Sequence, residues 1–187
     1  MQELADRLPP RLRKLVRTMV AIKLTISAIA ILILPITFFL VVLFRYVFEW
    51  DLFAYEEWLL PISFWLYFMA SAVGSYQNKQ IRADVLESFF GSARAEWIRR
   101  VVLSIIETFI ALAVVYWAYL MIEREVLSYP FWQKTIALKI PFFVPRLGIF
   151  LGFAFMAFYS LLHLYVLLRF GIEIVEEERA ASGKEVA

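Results

Sequence analysis

Four stretches of this chain are long enough, and poor enough in charge, to cross a lipid bilayer as helices. Leu24 to Phe44 and Trp58 to Asn78 are 21 residues each and uncharged. Val101 to Ile122 is 22 residues with Glu107 as its one charge. Leu147 to Leu168 is another 22, with His163 as its one group titrating near neutrality. At about 1.5 Å per residue, each run spans roughly 31–33 Å as a helix, against a hydrocarbon core of about 30 Å. Composition agrees: 63% of the 187 residues are hydrophobic and 19% charged, where soluble domains hold about 45–50% and 25%. A chain this size buries only about 70% of its surface on folding, so water is a poor solvent for the remainder. The expected fold is an all-α membrane protein, one membrane domain over 1–187. Its spans are at about 24–44, 58–78, 101–122 and 147–168, with tails at 1–23 and 169–187. The first run exceeds the roughly 7–15 residues of a signal-peptide core and has no small-x-small cleavage site after it, so it is expected to remain as a signal anchor.

Several chemistries are excluded at once. With no Cys, the chain has no disulfide framework, thiolate nucleophile or Cys-ligated metal. One His precludes bis-His haem and two-His metal sites. A net charge of +2 gives no footprint for nucleic acid. No cofactor, metal site or catalytic residue is expected.

Orientation follows from Lys and Arg alone. Six precede the first span (Arg7, Arg11, Arg13, Lys14, Arg17, Lys23), five lie between the second and third, and three follow the fourth. Only Arg45 lies in the first loop, and four (Arg124, Lys134, Lys139, Arg146) lie in the third. Fourteen positives against five place both termini in the cytoplasm.

The connections carry their own signals. Over about 79–100, Ile81, Val85, Leu86, Phe89 and Phe90 recur at helical spacing, with charged residues between them. This predicts an amphipathic helix in the cytoplasmic interface, with Arg94, Trp97, Arg99 and Arg100 at phospholipid headgroups; a loop helix packed on its own bundle is the alternative. Between Val126 and Arg146, Pro130, Pro141 and Pro145 interrupt an aromatic-rich stretch that suits an outer interfacial belt or a docking surface.

Glu107 is the one carboxylate within a span, and an ionisable group there is a functional candidate. It lies six residues from the cytoplasmic end of the third span, and His163 five from that of the fourth. At similar depth the two are expected either to pair or, for Glu107, to snorkel to the interface. Asp51, Glu56 and Glu57 precede the second span, where the helix dipole favours carboxylates. An ion pair with Arg45 or with a partner subunit is the functional alternative. Adjacent Glu residues point about 100° apart on a helix and cannot flank one bond in catalysis. Gly148-Ile149-Phe150-Leu151-Gly152, and Ala70 with Gly74, mark faces where helices can approach closely.

Taken in order, several segments resemble one family. They are Phe44-Arg45-Tyr46-Val47-Phe48, Glu56-Glu57-Trp58, Gly74, Ile81-Arg82-Ala83-Asp84-Val85-Leu86, and Ala137-Leu138-Lys139-Ile140-Pro141 followed by Pro145. Together they look like the small membrane subunit (Q-type) of tripartite ATP-independent periplasmic (TRAP) transporters, over nearly the whole chain. Gln80 stands where many members carry His, so no role of that His is carried over. The resemblance implies a non-catalytic subunit of the bacterial inner membrane. Its partners would be a large multi-span subunit, which holds the substrate and sodium sites, and a periplasmic binding protein delivering an organic acid. It also implies partner contacts at Arg45, Glu56, Glu57, Trp58, Pro141 and Pro145 outside and at Arg82 and Asp84 inside. One buried carboxylate is too few polar groups for a midplane anion and ion site, which fits a supporting role. The rival readings are a stand-alone transporter or proton channel using Glu107, a membrane enzyme, and a scaffold of another membrane complex.

Overall fold

The computed structural model describes residues 4–50, 52–78 and 92–181. A single 3-10 turn, Leu4–Arg7, precedes four helices: α1 (Pro10–Val47), α2 (Tyr55–Tyr76), α3 (Ala93–Leu127) and α4 (Phe143–Ala181). The described residues are otherwise turns and loops, with one isolated bridge between Lys134 and Pro141. All four helices are long and apolar enough to cross a membrane.

The helices outrun the apolar runs that predicted them. At 38, 35 and 39 residues, α1, α3 and α4 are roughly 57, 52 and 58 Å long. Pro10 starts α1 at a position whose N–H would be unpaired anyway. The segment expected as a tail over 1–23 is therefore mostly helix. Its Leu4, Leu8, Val16 and Val20 are buried with Tyr76 of α2 and Tyr159 and Val166 of α4. Ser92 caps α3, accepting a hydrogen bond from the Ala95 N–H at 3.3 Å. Of the interfacial helix expected over 79–100, residues 93–100 are the opening turns of α3, and 79–91, with Arg82 and Asp84, lie outside the described residues.

Helix order across the bundle is α1, α2, α4, α3, with α4 packed on both α2 and α3. Contacts between α2 and α4 run in parallel register: Trp65 against Gly148, Phe68 against Gly152 and Phe153, Tyr76 against Tyr159. Those between α3 and α4 run antiparallel: Trp97 with Leu167, Thr108 with Ser160, Glu125 with Arg146. Buried faces are small or polar rather than oily. The inner stripe of α1 is Val16, Val20, Lys23, Ser27, Ala30 and Thr37. Its Ile29, Leu32, Ile36 and Phe39 face outward, all more than half exposed. This inversion belongs to lipid, where large apolar side chains need no burial and close backbone approach drives association.

The GxxxG of α4 is used in this packing. A Cβ on Gly148 would sit 3.2 Å from the Trp65 ring, and one on Gly152 only 2.5 Å from Phe68 Cβ. Ala70 is exposed and Gly74 has open space around it, so that second small pair packs on nothing in the described chain.

Candidate functional site

Polar groups that could do chemistry in a membrane gather in three places. In the middle of the bundle, Lys23 of α1 is buried and its Nζ donates to the Tyr159 hydroxyl of α4. The same nitrogen lies 3.8 Å from the centroid of the Phe155 ring, a cation–π contact. One turn on, Ser27 Oγ is buried without a hydrogen-bond partner. Thr108 Oγ1 and Ser160 Oγ, 2.9 Å apart, link α3 to α4, and Thr108 also bonds back to Ser104 O at 2.7 Å. His163 Nε2 sits 3.1 Å from both Ser75 O and Tyr76 O, at the C-terminal end of α2. The Glu107–His163 pairing is thereby corrected. The histidine turns to α2, while the polar α3–α4 link falls one residue beyond Glu107, at Thr108. Depth along the helices matched; azimuth did not.

A second group joins the ends of α2, α3 and α4 with their loops. Glu57 accepts from the Ala137 N–H at 2.8 Å and the Leu138 N–H at 2.7 Å, one to each carboxylate oxygen. Those amides form the tip of a narrow loop, closed by Thr135 N to Ile140 O at 3.0 Å and Phe142 N to Gln133 O at 3.0 Å. Lys139 there has φ 54°. The tip presents Ile136, 95% exposed. Arg146 forms an ion pair with buried Glu125 and a 3.5 Å contact to Gln133. Trp132 turns inward, donating to Glu125 O at 2.9 Å and stacking on Phe143. Glu57 is thus tied to the loop within its own chain. Replacing it by alanine is expected to speed amide exchange at Ala137 and Leu138 and to leave α2 protected. Unchanged exchange at those two amides would contradict the tie.

At the opposite end, Trp97 Nε1 donates to Leu167 O at 3.0 Å and its ring lies against Gly171. Arg100 pairs with buried Glu96 at 2.6 Å. Both Trp97 and Arg100, expected at headgroups, are half-buried and bonded within the chain. Arg94 is exposed and Arg99 half-buried. Of the other sequence candidates, Arg45 and Glu56 are exposed and Trp58 half-buried. Pro141 is half-buried at the bridge with Lys134. Pro145 is buried in the first turn of α4, where proline costs no hydrogen bond.

Sequence reasoning missed Lys23, which it counted among the orientation charges, along with Glu125, Arg146 and Tyr159. For Lys23 a signal existed: it continues the 3–4-residue spacing of Val16, Val20, Ser27 and Ala30.

Fold and site together define a multi-pass helical membrane protein whose polar groups tie its own helices to one another. The family model for tripartite ATP-independent periplasmic transporters, DctQ component, matches residues 34–170. The matched region takes in all or part of every helix and well over half of the chain, and the protein belongs to that family: it is a TRAP transporter small membrane subunit. A search of curated proteins finds no match.

Proposed function

We propose that this subunit is the stationary scaffold of its transporter in the bacterial inner membrane, with both termini cytoplasmic. It holds the large multi-span subunit while that subunit moves an organic acid with sodium, and a periplasmic binding protein delivers the acid. The observation that carries this reading is the bracing at both ends of the bundle. Glu57 and Glu125–Arg146 fasten one end, and Trp97 on Leu167 and Gly171 the other. Helices tied at both ends resist sliding and tilting, as a fixed support requires. The exposed apolar faces of α1 and α3 suit lipid and a partner's helices alike. Lys and Arg are concentrated at the Trp97 end, which the positive-inside rule places in the cytoplasm. The Glu57 end then faces the periplasm, and exposed Arg45 and Glu56 are outer contacts to the large subunit. Arg82 and Asp84 keep the inner-side contact role that the family resemblance suggests.

Reconstitution tests the reading. The large subunit and binding protein, in liposomes under an inward sodium gradient, are expected to accumulate the bound acid only when this chain is present. Equal uptake without it would contradict the scaffold role. Reversing the two exposed charges, Arg45→Glu with Glu56→Lys, is expected to lower recovery of the large subunit several-fold while all four helices remain inserted. Unchanged recovery would remove both residues from the interface.

A further inference from the structure

A cleft of about 550 Å³ opens at the C-terminal end of α3, under the loop that leads to α4. Its wall changes character along its length. Trp117, Leu120 and Met121 line one part; Arg124, Glu125, Ser128, Gln133 and Arg146 line the other. The change follows the helix axis: from Trp117 to Arg124 is seven residues, roughly 10 Å. With α3 crossing the bilayer, the Trp117 part lies at acyl-chain depth and the Arg124 part at the depth of the headgroups.

The two guanidinium groups are not equivalent. Arg146 is engaged by Glu125 and Gln133. Arg124 is exposed and has no acidic partner among the described residues. One cation at the polar end therefore remains for an anion; the Ser128 hydroxyl beside it donates to Arg124 O at 2.7 Å. The volume is that of a ligand cleft. Trp117, 68% exposed, forms a flat apolar wall, and Phe131, 88% exposed, closes the rim.

We propose that this cleft is a specific phospholipid site, with the phosphodiester at Arg124 and one acyl chain along Trp117, Leu120 and Met121. A guanidinium donates to phosphate oxygens in a charge-assisted, two-pronged way that an exposed point contact lacks. A bound lipid fills the gap between α3 and the α3–α4 loop and extends the bracing of that end into the membrane. The site is distinct from the Arg94–Arg100 region at the other end of the bundle.

The test uses the full chain in detergent, titrated with phosphatidylglycerol brominated on its acyl chains. Saturable quenching of tryptophan fluorescence is expected, with the quenched component absent in Trp117→Phe. Arg124→Gln, an exposed substitution, is expected to weaken the apparent affinity about tenfold, and Arg94→Gln at the far end to leave it unchanged. Native mass spectrometry is expected to retain one lipid on the unmodified chain and to lose it in Arg124→Gln. Equal affinity in Arg124→Gln, or quenching that persists in Trp117→Phe, would overturn the site. Inorganic phosphate that displaced the lipid at millimolar concentration would make it a free-anion site and overturn the lipid assignment.

Discussion

Gly152→Leu is expected to force α4 away from α2 and to cause the largest loss of stability of any single substitution on that face. Even a Cβ at Gly152 would meet Phe68 Cβ at 2.5 Å and the Phe68 carbonyl at 3.1 Å, and a backbone carbonyl cannot swing aside. Overpacking of this kind costs about 1–3 kcal/mol, occasionally more. Gly148 is the internal control, because the nearest atoms its Cβ would meet belong to the Trp65 ring, at 3.2 Å. That ring is held by its Nε1 hydrogen bond to Val144 O at 3.1 Å, so it yields by tenths of an ångström at some cost. Unfolding by sodium dodecyl sulfate in mixed micelles should rank the unmodified chain, Gly148→Ala, Gly152→Ala and Gly152→Leu in falling order. Equal midpoints for Gly148→Ala and Gly152→Ala would mean that α2 and α4 do not approach as described.

The second large effect is expected at Lys23 and Tyr159, and its signature is non-additivity. Tyr159→Phe removes the acceptor of a buried lysine and leaves the nitrogen with aromatic faces alone. An unsatisfied buried polar group costs about 1–3 kcal/mol, and more when charged. Lys23→Met leaves the Tyr159 hydroxyl without that partner and costs toward the lower end of the same range. The double substitution replaces both partners by apolar groups of similar volume and is expected to be more stable than Tyr159→Phe alone. The double-mutant cycle, read from the same unfolding titration, gives the coupling directly. Costs that simply add would show that the two side chains do not depend on each other.

How much of this could be read in the sequence depends on what the membrane makes visible. The four helices were legible because an uncharged run of about 20 residues has few other uses. The family was legible from the order of Arg45, Glu56-Glu57-Trp58 and Ile140-Pro141, and the match over residues 34–170 agrees. Helix ends were not legible, since charged residues such as Arg11, Arg13 and Lys14 continue a helix into the interface without breaking it. Helix neighbours were only partly so. In water the most apolar stripe marks the buried face; here the buried stripe of α1 holds Lys23, Ser27, Ala30 and Thr37. The GxxxG pointed to the correct face of α4, whereas Ala70 and Gly74 pointed to a face that the chain leaves open. Depth alone put Glu107 beside His163, but depth does not fix azimuth, and His163 turned to the carbonyls at the end of α2. Glu57 was legible as a helix-start carboxylate, not as the tie to amides 80 residues away.

The central claim is that this chain works as a fixed support bound to a large partner. Mild-detergent purification of the tagged chain from its native membrane, followed by mass spectrometry, tests that claim most directly. A large multi-span membrane protein recovered in about equal amount is the predicted result, and that partner then leads to the binding protein and the transported acid. Recovery of the chain alone, or only with copies of itself, would contradict the scaffold reading.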